Sequence, residues 1–224
     1  MIIRWIKFQY FWIMGSDKIR IAYHEAGHAV IAELFSEKLF MNFITINEEV
    51  SRQFHESHRG GLAIEFFTQP SSQDYEVADN IILIALAGMC AQTIYKKGKD
   101  FVKDNLGNFH NNMNLLVYDG CGGDKAEWDK QAKELSEVYT QVAAGRILLT
   151  AVRFVFEYFL NENVWKAIDS LAKDLIASPN EYLTDKEIKD SFTKIEFDKV
   201  LAEHRDAFLQ KRYPLRFETF KDLV

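Results

Sequence analysis

The chain has 224 residues, 48% of them hydrophobic and 14% aromatic, enough apolar surface to build a core without disulfides. Its formal net charge is −6 with Lys and Arg scattered along the chain, which excludes a basic nucleic-acid-binding face and leaves no polyanion partner to expect. The two cysteines, Cys90 and Cys121, stand in no metal-ligand spacing and fit a reducing compartment with both thiols free.

Met1 to Met14 (MIIRWIKFQYFWIM) is apolar and aromatic, but Arg4 and Lys7 interrupt it and it falls short of the roughly 20 residues that span a bilayer. No small-residue cleavage site follows, which argues against a secretory signal. A segment packed on the domain is the favoured reading. An interfacial membrane anchor through residues 1–14 and a true start at Met14 are the alternatives. The expected localisation is cytoplasmic, with membrane association left open.

Ser16 and Asp17 offer N-cap chemistry, after which Ile19, Ala22, Tyr23, Ala26, Val30 and Leu34 recur at three- and four-residue spacing. That pattern predicts an amphipathic helix over about Asp17 to Ser36. Two β-rich runs follow, Phe40–Asn47 and Gly61–Thr68, separated by a polar segment ending in Gly60-Gly61; they predict neighbouring antiparallel strands. A second helix, about Ser72 to Lys97, is apolar on nearly all sides at its centre and so should cross the core. Residues 98–123, rich in Asn, Gly and Asp, read as a long irregular loop. Helical patterns then run over Asp124–Tyr139, Val142–Leu160 and Val164–Ile176, with Pro179 breaking the last. Thr184-Asp185-Lys186-Glu187 has the capping-box form and should start another short helix, and residues 197–224 form a charged amphipathic tail. The expected fold class is α+β and mainly α-helical, with a small antiparallel β element and a C-terminal helical bundle.

His24-Glu25-Ala26-Gly27-His28 carries the chemistry. On a helix, residues i and i+4 are neighbours on one face, about 5–6 Å apart at Cβ, so two imidazoles can converge on one zinc ion. Glu25, one residue round, can then serve as general base towards a metal-activated water attacking a carbonyl. Two helix histidines satisfied by ordinary hydrogen bonds are the bland alternative. The small and apolar neighbours Ala22, Ala26, Ala29, Val30 and Ala32 weigh against it. So does Gly27, which costs about 1 kcal/mol inside a helix and makes sense where another backbone approaches closely. His55, His58 and His110, in polar stretches, are read as solvated, with approach of His110 to the site on its loop as the alternative.

HEAGHAVIA resembles the zinc-binding helix of the peptidase domain of FtsH-type ATP-dependent membrane proteases. The similarity continues through the strand FITI, GGLAIEFF in the place of the family's active-site edge strand, LAGMCAQTIY in the place of its LLGGRAAEEL-like helix, and WKAIDSLAKDLIASPNEYLTDKEI near its closing helices. It implies an FtsH-like peptidase domain over residues 16–196, between the leader 1–15 and the tail 197–224. It also implies a third zinc ligand, in the family an Asp at a helix start; here the spacing places Glu127 on that position, with Asp124, one turn earlier, as competitor. Asp124 also reads well as the N-cap of its helix. The chain contains no Gly-x-x-x-x-Gly-Lys-Ser/Thr sequence, so the family's unfolding motor is not expected here.

The function expected is a zinc-dependent metalloendopeptidase that cuts flexible or unfolded polypeptide, supplied where needed by a separate ATPase or adaptor. The alternative is a catalytically silent zinc-binding regulatory or interaction module. A zinc hydrolase acting on a non-peptide amide, or a generic HExxH peptidase of the kind that cuts phage-type repressors, is a third reading. The family's hexamers are shared with its motor, so oligomeric state is left open.

Overall fold

The computed structural model describes residues 18–54, 60–67, 75–113, 116, 133 and 141–201. Helix α1 covers Lys18–Glu33 and leads into strand β1, Leu39–Thr45. The short helix α2, Glu48–Phe54, precedes strand β2, Gly61–Phe66. Helix α3, Tyr75–Lys97, is followed by α4, Lys99–Leu106, and α5, Phe109–Met113. The carboxyl half supplies α6, Gln141–Phe159, α7, Glu162–Ala177, strand β3, Tyr182–Thr184, and α8, Asp185–Lys194. The fold is α+β and mainly helical, with one small antiparallel sheet.

The sheet order is β2-β1-β3. β1 pairs with β2 from Leu39↔Phe66 to Thr45↔Gly61, with a bulge between Met41 and Phe43, and with β3 from Phe43↔Thr184 to Thr45↔Tyr182. Both edges of β1 are therefore taken. β2 is left at the margin, with no further strand on its outer edge among the described residues.

α1 is buried over most of its length because its neighbours enclose it: α3 packs along one side, α7 along another, and the sheet closes a third. Tyr23 on α1 ties these together. Its hydroxyl donates to Asp169 on α7 at 2.5 Å, and its ring stacks on Tyr95 of α3 and Trp165 of α7. α3 in turn packs on α6, so the apolar run of α3 does cross the core. Phe197 and Leu201 belong to that same core, Phe197 lying against Phe192 of α8.

Helix ends follow the sequence where capping chemistry is written into it. Asn161 caps α7 by accepting from the amides of Asn163 and Val164, and Thr184 with Glu187 forms the complete capping box on α8. The expectation of an irregular stretch over 98–123 is corrected in its first part, where α4 and α5 form. Val102, Leu106 and Phe109 are buried at helical spacing, and their burial outweighs the turn-prone Asn and Gly between them. No helix of the described residues is long and apolar enough to cross a membrane. The leader 1–15, the expected helix Asp124–Tyr139 apart from Lys133, and most of the tail lie outside the described residues.

Candidate metal and catalytic site

The two histidines of α1 meet as the spacing predicts. Nε2 of His24 and Nε2 of His28 lie 2.8 Å apart, their rings nearly perpendicular. Exposure is 2% for His24 and 0% for both Glu25 and His28. Burial lowers the pKa of His28 to about 4, with the Ile84 carbonyl acting the other way. Burial, then the neighbouring His28 and Arg20, holds His24 well below the ordinary histidine value, against a hydrogen bond with the Gln92 side chain. Both rings are therefore neutral at physiological pH, the form that binds a metal ion.

Helix α3 supplies the surroundings. Nδ1 of His28 lies 2.6 Å from the Ile84 carbonyl, which can only accept, so Nδ1 carries the proton and the lone pair sits on Nε2. The Gly88 N–H also points at that nitrogen from 3.2 Å; with the proton on Nδ1 it can make no hydrogen bond there and is left to its i−4 carbonyl, Ile84, in the turn of α3 beside the ring. Fixing the outer ring nitrogen on a carbonyl while the inner one faces the site is the arrangement that orients metal-ligating histidines.

Gly88 also makes the room. A Cβ at this position would fall 2.3 Å from Nε2 of His24 and 2.4 Å from Nε2 of His28. The missing side chain thus leaves a cradle at the two nitrogens. The donor types suit zinc, but two nitrogens at about 2.0–2.1 Å from a tetrahedral ion stand about 3.3 Å apart; at 2.8 Å these two are at hydrogen-bond distance, and the rings would have to part by about 0.5 Å to share an ion. The described residues contain no group of three His, Cys, Asp or Glu able to hold a metal. Glu127 and Asp124, the two candidates for the third ligand, lie outside the described residues, as do His55 and His58. His110 falls on α5.

Gly27 meets the expectation of a close approach: a Cβ there would stand 2.6 Å from the Ala91 Cβ and 2.8 Å from the Ala87 carbonyl oxygen of α3. Glu25 faces the sheet. A Cβ on Gly60 would come within 2.6 Å of Glu25 Oε1, 2.8 Å of Ile21 and 3.1 Å of the Thr45 carbonyl oxygen. The carboxylate is therefore held against the backbone at the point where β2 begins. Sequence reasoning missed three participants: Gly88, Gln92, and Ser51, whose hydroxyl donates to the Gly60 carbonyl at 2.8 Å. A glycine inside an otherwise apolar helix was the one signal that could have found Gly88. Gln92 and Ser51 have none outside the folded chain.

No protein-family model matches this chain, and no curated protein matches it.

Proposed function

We propose that this chain is a zinc-dependent endopeptidase of the FtsH-like peptidase type, acting on flexible or unfolded polypeptide. The observation that carries the proposal is the pair of neutral imidazoles with facing Nε2 atoms 2.8 Å apart, beside a glycine cradle and next to a buried glutamate. His24 and His28 would hold the ion, with a carboxylate from Glu127, or from Asp124, as third ligand. Zinc bound there supplies a Lewis acid that polarises a scissile carbonyl and makes water a better nucleophile near neutral pH.

The chain's own residues do the rest. Glu25 accepts the proton of the attacking water and passes it to the leaving amine nitrogen. An extended peptide would pair along the outer edge of β2, where main-chain hydrogen bonds bind any sequence in the same register. Gly60 brings the start of that edge against Glu25. A segment must be unfolded to add as a strand, so flexible polypeptide is the substrate class, and folded proteins would need a separate ATPase or adaptor to deliver them.

The alternative, a catalytically silent zinc-binding module, is favoured by one observation: Glu25 is 0% exposed. Metal analysis comes first for both readings. Purified protein, supplemented with zinc, should carry about one zinc per chain, and His24→Ala or His28→Ala should abolish binding. Wild-type protein without stoichiometric zinc refutes both.

A further inference from the structure

Ser51 lies on α2, outside the metal helix, and is buried at 3% exposure. Its hydroxyl donates to the Gly60 carbonyl at 2.8 Å. That carbonyl belongs to the peptide joining Gly60 to Gly61, and because the peptide is planar, fixing its oxygen also fixes the direction of the Gly61 N–H. Gly61 opens β2 and pairs with Thr45. At its other end the same backbone presses on Glu25, with Oε1 2.6 Å from where a Gly60 Cβ would be. One peptide plane thus stands between the proposed base and the strand edge.

α2 gives Ser51 a firm mount. Asn47 caps the helix by accepting from the amides of Glu49 at 3.0 Å and Val50 at 3.2 Å. The Asn47 amide donates to the Thr45 hydroxyl at 3.0 Å, and its side-chain nitrogen donates to the Asn180 carbonyl at 3.2 Å. The helix is so tied to β1 and to the chain entering β3, the two elements that do not have to receive substrate.

We propose that Ser51 is a positioning residue that locks the Gly60–Gly61 peptide against Glu25 and so sets where a peptide paired along β2 meets the base. The inference rests on the endopeptidase reading. A substrate strand would pair mainly with residues 62–66, whereas the Ser51 hydroxyl bonds to the Gly60 carbonyl, so its removal should leave binding nearly intact and blur only the alignment at the reacting carbonyl. Misplacement by about 1 Å can cost about 100-fold in rate.

The test uses the full-length, zinc-loaded chain with a quenched unstructured peptide, comparing wild type, Ser51→Ala and Ser51→Thr, with amide hydrogen exchange over residues 60–66 as a second readout. Should Ser51→Ala fail to fold, Ser51→Cys, similar in size but only a weak donor, replaces it. Expected for the variant without the hydroxyl are kcat lowered about tenfold, KM within about twofold, zinc at one per chain and faster exchange at Gly60 and Gly61, with Ser51→Thr restoring kcat and exchange. Unchanged kcat with a lowered melting temperature reduces Ser51 to a structural role and overturns the inference. Failure of Ser51→Thr to recover while folded does the same, as does unchanged exchange. A wild type that cuts nothing refutes the peptidase reading itself, and the exchange comparison then decides whether Ser51 holds the Gly60 peptide at all.

Discussion

Replacing Gly88 by Ala puts a methyl group between the two imidazoles. The new carbon would sit 2.3 Å from His24 Nε2 and 2.4 Å from His28 Nε2. Ordinary packing needs about 3.5 Å, so each ring must retreat by about 1 Å within a fully enclosed site. Overpacking of this kind costs about 1–3 kcal/mol, and in a chain of this size each kcal/mol lowers Tm by about 2–4 °C. The larger effect is on the metal. With both donors displaced, zinc affinity should fall by about 100-fold, the upper end of what disturbing a ligand's support costs. At free zinc 100 times the wild-type Kd, zinc stabilises wild type by about 2.7 kcal/mol, whereas a variant bound 100-fold more weakly gains only about 0.4 kcal/mol. Thermal melts with and without zinc read this directly. Wild type should shift upward and Gly88→Ala should hardly move, while Gly145→Ala, where a Cβ would meet nothing within 4 Å, serves as control and behaves as wild type. An equal zinc-induced shift in Gly88→Ala would refute the placement of the ion between these nitrogens.

Two further outcomes are expected. Glu33, at the carboxyl end of α1, has its pKa raised to about 7, chiefly by burial, with Asp198 and Asp185 adding to the shift and Lys189 and Ser36 opposing it. Its folded pKa exceeds the ordinary value of 4.5, so its stabilising contribution is complete below that value and is lost as pH rises through about 7. Discounted for partial exposure, the loss is about 1–2 kcal/mol. Denaturant melts of Glu33→Gln should therefore gain on wild type between pH 5 and pH 8, and a pH-independent difference would contradict this. For the third zinc ligand, Glu127→Ala should weaken zinc binding markedly in equilibrium titrations and Asp124→Ala should not; the reverse result moves the assignment to Asp124.

What could be read from the sequence followed from periodicity and from chemistry confined to one element. The i, i+4 histidines on α1 announced both the helix and the pairing of their rings, since both depend only on helix geometry. Gly27 announced the approach of α3 because a glycine's cost inside a helix calls for a packing reason. The capping box at Thr184 gave the start of α8. By contrast β3, at three residues, is too short to show alternation; it forms because β1 has a second edge to pair and Glu181, at φ 53°, turns the chain onto it. The start of α2 was hidden by a polar run, where the Asn47 cap, the Glu48–Arg52 pair and the buried Ser51 hold the helix. Within the site, the cradle at Gly88, the Ile84 carbonyl on His28 and the hold of Ser51 on Gly60 each join residues at least nine positions apart, and no local pattern encodes them.

The endopeptidase reading stands or falls most directly on one comparison: hydrolysis of an unstructured polypeptide by zinc-loaded wild type and zinc-loaded Glu25→Gln. Gln keeps the shape of the side chain and its hydrogen-bonding reach but cannot take a proton, while His24 and His28 still hold the ion. The account predicts equal zinc content in the two proteins and a rate at least about 100-fold lower in Glu25→Gln. Equal rates, or a wild type that carries zinc and never cuts a disordered chain, would contradict it.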